Sequence, residues 1–462
     1  MRYTITEIAS IVQGVFIQKN SNDEVQYVST DTRQIIHAAA NLFFCLVARN
    51  NGHQYIISAY YKGIRNFIVS EKINIENYPD ANFILVEKSI TALQQFAKFH
   101  RAQFKIPVIG ITGSNGKTVV KEWLYQLLSA DKNIVKSPKS YNSQIGVPLS
   151  VLNMESENEL AIFEAGISTT GEMEKLAEII QPTVGILTNI GTAHDAGFSS
   201  KEEKIQEKLK LFENCKTFIY SDKYGIENFS LSPNTSIVSF GESDNASIKI
   251  KHKEIKNKHT VIEIEFPQNA STRTVLTIPF TDDASVENTM HCVVAMLQLG
   301  YTIEIIQQKI MALRNLPMRL ELKYGINNCS IIDDSYSADF HSLQIALDFF
   351  NQQETHKKKT LIISAFEESG LSEKDFIQKL KATLQQASFD KLIGVGKTFM
   401  QHIESLAYSI KEWYVFENTE QLLSQFQVLK FENELILLKG ARKFSFEKIT
   451  AQLIGQTHTT VL

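Results

Sequence analysis

At 462 residues the chain is too long for one ordinary core and predicts two to four domains. Its 43% apolar and 21% charged residues are those of a soluble globular protein. A net charge of -4 gives no suggestion of a basic nucleic-acid surface, and no apolar run approaches the roughly eighteen residues of a membrane-spanning helix. The N-terminus, MRYTITEIASIVQG, lacks a signal-type apolar core and predicts a short helix instead. Thr4 and Glu7 have capping-box spacing, Ile5, Ile8, Ile11 and Val12 form one stripe, and Gly14 suits the end. A cytoplasmic protein is expected.

Short strands follow over 41–48, 66–71 and 82–87, and a helix over 90–104 leads to Pro107. Residues 1–103 therefore predict a mixed α/β domain. A second domain, 104–315, opens with a buried strand over 107–112, a glycine turn, and a helix carrying Val120, Trp123, Leu124, Leu127 and Leu128 on one face. Apolar strands over 160–166 and 184–190 alternate with helices, the pattern of a parallel sheet covered on both faces. The charge-alternating stretch 247–266 predicts an inserted antiparallel hairpin, and a helix over 286–299 ends at Gly300. In a third domain, 316–455, strands over 330–336, 360–366, 391–396 and 434–440 alternate with helices, predicting a Rossmann-like unit. Residues 456–462 read as a tail or the start of a following domain. Cys45, Cys215, Cys292 and Cys329 form no CxxC pair and are expected to be buried thiols.

The strongest motif is Gly110-Ile111-Thr112-Gly113-Ser114-Asn115-Gly116-Lys117-Thr118, set between a strand and a helix as a phosphate loop requires. Glycines let backbone N–H groups turn toward phosphate oxygens, and the helix N-terminus adds its dipole. Lys117 is expected to reach the β and γ phosphates, and the Thr118 hydroxyl to bind Mg²⁺. Ile111 stands where the usual GxxxxGK[ST] pattern has its first glycine.

The form TGSNGKT resembles the Mur ligase superfamily, and the resemblance extends over nearly the whole chain. It implies a central P-loop ATPase domain with a parallel sheet, an N-terminal uridine-binding domain and a C-terminal Rossmann-like domain. It implies ATP and two Mg²⁺ ions as cofactors. Gly113, Ser114, Asn115, Gly116, Lys117 and Thr118 would hold the nucleotide phosphates. Tyr141-Asn142-Ser143-Gln144 before IGVP is similar to the family's asparagine-rich loop and implies a substrate contact for Asn142. Glu164 matches the magnesium-binding glutamate, and His194, in NIGTAHDAGF, a histidine serving the metal site. Lys208 aligns with a lysine carried as a carbamate. A carbamate would turn an ammonium that Mg²⁺ repels into a carboxylate that binds it. The implied metal set is Thr118, Glu164, His194 and Lys208, and the catalytic set Lys117, Lys208, His194 and Glu164. Asn288, Arg319 and Asp334 would complete the nucleotide site.

Within the superfamily, DDSYSAD (333–339) is most similar to the DDSYNAN of the ligases that add D-alanyl-D-alanine to UDP-N-acetylmuramoyl-tripeptide. The resemblance makes those two molecules the expected partners, joined through an acyl phosphate. No DNPR signature of the diaminopimelate-adding relative occurs, and Gly116-Lys117-Thr118 departs from the GKGS of folylpolyglutamate synthases. Ser337 replaces the usual asparagine, and SAFEESG (364–370) stands where GDMxELG is common.

Ser29-Thr30-Asp31-Thr32-Arg33 is similar to the family's DSR turn, implying that Ser29, Asp31 and Arg33 hold the uridine diphosphate end, and Gly52-His53 fits the following GH. Lys439-Gly440-Ala441-Arg442 resembles KGSR, which implies contacts from Lys439 and Arg442 to the incoming carboxylate or a phosphate. Some relatives look to be fused to an alanine racemase, and the apolar turn after Thr459 is expected to open such a domain beyond Leu462. Other readings stay open at this point. They are a ligase for a different amine, a nucleotide-binding scaffold with a dead site, and a P-loop kinase.

Overall fold

The computed structural model describes all residues except 36, 49, 192–196, 227–230, 268–271, 337, 354, 367–370, 408–409 and 456–462. Three large sheets follow one another along the chain, with a two-stranded pair, Tyr3–Thr4 with Glu24–Val25, at its start. The helix Ile5–Ile11 carries the expected capping box, with Thr4 and Glu7 bonded reciprocally and Ile5 and Ile8 fully buried.

The first sheet has five strands in the order Val15–Gln18, Asn82–Leu85, Asn66–Val69, Asn41–Phe44, Tyr27–Ser29. The first pair is antiparallel and the rest parallel, so this sheet is mixed. The strand expected over 41–48 stops at Phe44. Helix Ser89–Arg101 then leads to the central sheet. Arg101 is buried there, its guanidinium donating to the carbonyls of Ile180 (2.8 Å) and Gln181 (2.9 Å).

The central sheet has nine strands, and Val108–Thr112 lies between Val184–Leu187 and Leu160–Glu164. These three are parallel and every residue in them is buried, which their unbroken apolar runs require. The expected antiparallel hairpin is present, Ile248–Lys256 with His259–Phe266, and it extends this same sheet. Ile248–Lys256 pairs parallel with Ser236–Gly241, and His259–Phe266 and a further strand, Thr272–Ile278, continue it antiparallel. Alternation explains it: Thr260, Ile262 and Ile264 are buried while the residues between them are not.

The last sheet has six strands in the order Glu321–Tyr324, Ser330–Asp334, Glu434–Lys439, Lys358–Ser364, Lys391–Val395, Glu412–Phe416. The first pair is antiparallel and the others parallel. Both edge strands escaped the sequence reading, because half-exposed edges lack the continuous apolar run of the middle ones. The crossover sets Asp334 opposite Lys439. All four cysteines are buried free thiols, and burial pushes the Cys215 thiol up to about 11. Among the described residues no helix is long and apolar enough to cross a membrane.

Candidate functional site

The phosphate loop leaves the strand Val108–Thr112 at Gly113 and enters the helix Lys117–Leu128 at Gly116. Both glycines have positive φ, +148° and +81°. A Cβ on Gly113 would collide with the Thr188 hydroxyl, and one on Gly116 would sit 2.5 Å from Asn288 Oδ1. Close approach therefore requires glycine at both positions. Asn189 holds the loop from the neighbouring strand end: its carbonyl accepts from Ser114 N (3.0 Å) and its side chain from Asn115 N (2.7 Å). Thr188 Oγ1 donates to Asn115 O at 2.5 Å, and buried His291 contacts Thr188 O at 3.0 Å. Burial pushes His291 down to about 3, so its ring is neutral at physiological pH.

Lys117 curls over the loop, donating to Gly113 O at 2.6 Å and Ser114 O at 3.1 Å. Burial pushes its ammonium down to about 8, against the opposing pull of Glu164. Thr118 Oγ1 donates to Glu164 Oε2 at 3.1 Å. Glu164 is fully buried, and its Oε1 lies 3.0 Å from the Nζ of equally buried Lys121 without accepting a hydrogen bond. A threonine hydroxyl and a buried carboxylate oxygen side by side form an oxygen pair that fits a hard cation such as Mg²⁺. Among the described residues no cluster of three His, Cys, Asp or Glu could hold a metal, and His194 lies outside them. Lys208 is buried with its Nζ 3.4 Å from Gly113 O, so the chain brings it to the phosphate loop from 95 residues away.

Two cavities adjoin this loop, and a third adjoins one of them. The first, about 230 Å³, lies between the central and last sheets and brings together Asn115, Gly116, Asn288, Arg319 and Asp334. Lys223, Tyr224 and Glu287 also line it. Tyr224 donates to Glu287 at 2.7 Å, and burial raises the Glu287 carboxyl against the opposing pull of Lys223. The second cavity, about 310 Å³, brings Gly113, Lys117, Asn142 and Lys208 together. The third, about 460 Å³, opens between the first sheet and the helix Gly146–Val151 and takes in Ser29 and Asp31. It shares Ser143 and Ile145 with the second, so the two adjoin.

Some expected residues sit differently. Arg33 is exposed and folds back on Asp31 at 2.7 Å, outside the lining of the third cavity. Asp31 also accepts from Arg33 N, and the Arg33 side chain holds its carboxyl below the usual range. His53 points inward, with Nε2 accepting from Ser70 N at 3.0 Å. Lys439 is fully buried and paired with Asp334 at 2.6 Å, so its charge is matched within the chain before any substrate carboxylate arrives. Arg442 pairs with Glu447 at 2.9 Å. Residues 367–370 of SAFEESG, Ser337, and the tail expected to open a racemase domain fall outside the described residues. The sequence reading passed over Lys121, Ser140 and Tyr336. Lys121 could have been found, since it lies one helical turn beyond Lys117 and so shares its helix face.

The family model of the Mur ligase middle domain matches residues 111–296, and that of the Mur ligase glutamate ligase domain residues 318–442. A UDP-N-acetylmuramoyl-tripeptide--D-alanyl-D-alanine ligase from Rickettsia prowazekii is 30% identical over 95% of this chain and 97% of its own. The enzyme of the same name from Bacillus subtilis is 28% identical over 98% and 99%. Among solved structures, MurF from Acinetobacter baumannii superposes with a TM-score of 0.83 at 22% identity, covering 98% of this chain and 99% of that one. MurF ligase from Thermotoga maritima in complex with ADP gives 0.76 at 22%, covering 94% and 98%. These relatives match the chain as a ligase alone, and none of them supports an attached racemase.

Proposed function

Since the chain belongs to the Mur ligase family, we propose that it is an ATP-dependent ligase that joins D-alanyl-D-alanine to UDP-N-acetylmuramoyl-tripeptide in peptidoglycan precursor synthesis. The observation that carries this reading is a pair of cavities on the two sides of the phosphate loop, one of them continued by a third toward the first sheet, in a chain similar from end to end to ligases of that name. In this reading ATP occupies the cavity between the central and last sheets, the uridine diphosphate end the cavity beside Ser29 and Asp31, and the reacting carboxylate the space between Lys117 and Lys208. The domains divide near residues 103, 315 and 455, and the enzyme works in the cytoplasm, where its nucleotide substrates are.

The tripeptide carboxylate attacks the γ phosphorus, an O–P bond forms, the bond to the β phosphate breaks and ADP leaves. The dipeptide amine then attacks the acyl carbon, inorganic phosphate departs and a proton is released. Both partners of the first step are anions, so their approach costs repulsion that cations in a low-dielectric site offset. Lys117 supplies one such charge over the transferring group. Thr118 and Glu164 would hold Mg²⁺, which supplies charge neutralisation on the β and γ oxygens when bound. Asn288 and Arg319 orient the nucleotide from the two sides of its cavity.

The carbamate expected on Lys208 is a separate proposition, and the relatives lend it no support. A small carboxylic acid restoring activity to Lys208→Ala would favour it, and failure of that rescue would remove it. The main test is phosphate release from ATP with UDP-N-acetylmuramoyl-tripeptide. Release that requires D-alanyl-D-alanine supports the proposal, and equal release with single amino acids overturns the choice of amine.

A further inference from the structure

We propose that Tyr336 is a positioning residue for the phosphate-loop threonine, acting from the last sheet through a relay of hydroxyls that ends on Glu164. The inference rests on the ligase reading above. Tyr336 lies two residues beyond the strand Ser330–Asp334, and its hydroxyl donates to Ser140 Oγ at 2.7 Å. Ser140 Oγ lies 3.3 Å from Thr118 Oγ1, which donates to Glu164 Oε2 at 3.1 Å. The relay crosses 196 residues of sequence in its first step alone.

A hydroxyl has one proton and two lone pairs. The Thr118 proton lies on Glu164, so Thr118 can only accept from Ser140, and Tyr336 donating into one of the Ser140 lone pairs favours the orientation that turns the Ser140 proton toward Thr118. The threonine oxygen then keeps one lone pair for a cation at the phosphates. Without the tyrosine hydroxyl, Ser140 Oγ loses the donor that orients it, and its proton is no longer steered toward Thr118. The relay thus sets which way the Thr118 lone pair faces.

Ser140 is itself held from below. The Lys121 ammonium donates to Ser137 O at 2.8 Å and to Lys139 O, and Lys139 takes a left-handed φ of +49°. The other face of the tyrosine is also occupied: the Arg319 guanidinium lies over its ring, 4.5 Å from the centroid. One side chain therefore touches the arginine of the nucleotide cavity and, by its hydroxyl, the serine that contacts Thr118. Tyr336 and Arg319 belong to the last domain, while Ser140, Thr118 and Glu164 belong to the central one. The relay is complete only when the two meet, which ties assembly of the reactive site to closure.

Tyr336→Phe keeps the ring under Arg319 and removes only the hydroxyl. At saturating magnesium we expect kcat to fall about three- to tenfold, the range of one hydrogen bond, with the KM for ATP unchanged. Ser140→Ala should give the same loss, Ser140→Thr should stay near the parent, and the double variant should be no worse than the worse single. Losses that multiply in the double variant, an effect confined to KM, or an unchanged kcat would each overturn the relay. A second arm needs no turnover. Calorimetry of ADP binding should show the magnesium requirement rising severalfold in Tyr336→Phe and Ser140→Ala, and an unshifted requirement refutes the proposal. If no acceptor supports turnover, the ligase reading fails while the ADP arm still decides the relay.

Discussion

Replacing Lys117 with methionine should stabilise the nucleotide-free protein while removing its turnover. Burial moves the ammonium from the ordinary 10.5 to about 8. At about 1.36 kcal/mol per pKa unit, holding the charge at pH 7 costs on the order of 3 kcal/mol. Against this, Gly113 O and Ser114 O would each lose a donor, roughly 1 kcal/mol apiece. The net gain for the variant is on the order of 1 kcal/mol. The sign of the pH dependence follows from linkage. Between about 8 and 10.5 the unfolded chain binds more protons than the folded one, so parent stability rises with pH through that window, and Lys117→Met should lose that slope. Phosphates beside the lysine restore its pKa, so nucleotide binding takes up about half a proton at pH 8 and almost none at pH 6. Calorimetry in two buffers of different ionisation enthalpy measures this uptake, and phosphate release measures turnover, expected to fall roughly a hundredfold or more. Uptake that is absent at pH 8, or that persists in Lys117→Met, would refute the reasoning.

Gly116→Ala should cost on the order of 1–2 kcal/mol from its left-handed φ alone and displace Asn288, so ADP affinity should fall more than thermal stability does. Lys121→Leu leaves Glu164 buried without its cation. Denaturant melts should show a loss of about 3–5 kcal/mol, and Lys121→Leu/Glu164→Leu should recover part of it. Asp334→Asn strips buried Lys439 of its charge partner, so it should lower stability and weaken ADP binding together, by thermal shift with and without nucleotide. Arg33→Ala, at an exposed and solvent-screened surface pair, should leave the melting temperature essentially unchanged in the same melts.

The phosphate loop was legible because its constraints are local. A buried strand, two glycines that must turn, and a helix opening on lysine and threonine all lie within a dozen residues, and periodicity alone identifies the flanking elements. The same holds for the capping box at Thr4 and Glu7 and for the fully buried middle strands. The edge strands Glu321–Tyr324 and Glu412–Phe416 were missed because an edge buries only part of its residues. The hairpin in the charged stretch 247–266 was legible from its alternation, but not its place in the central sheet or the further strand Thr272–Ile278, since a charge alternation tells which face is wet but not which sheet it joins.

The pairs that complete the site are of another kind. Asp334 meets Lys439 across 105 residues, Asn115 lies 3.5 Å from Asp339 across 224, and Tyr336 reaches Ser140 across 196. Strand order sets the first of these, and the meeting of two domains sets the other two. The sequence alone determined which residue types could do the chemistry, because glycine turns, caps and apolar periods act within a few residues. Only the tertiary structure decided that Lys439 is committed to Asp334 and that a tyrosine hydroxyl arrives beside the phosphate loop. Such contacts follow from burial and sheet order over the whole chain, and no local pattern encodes them.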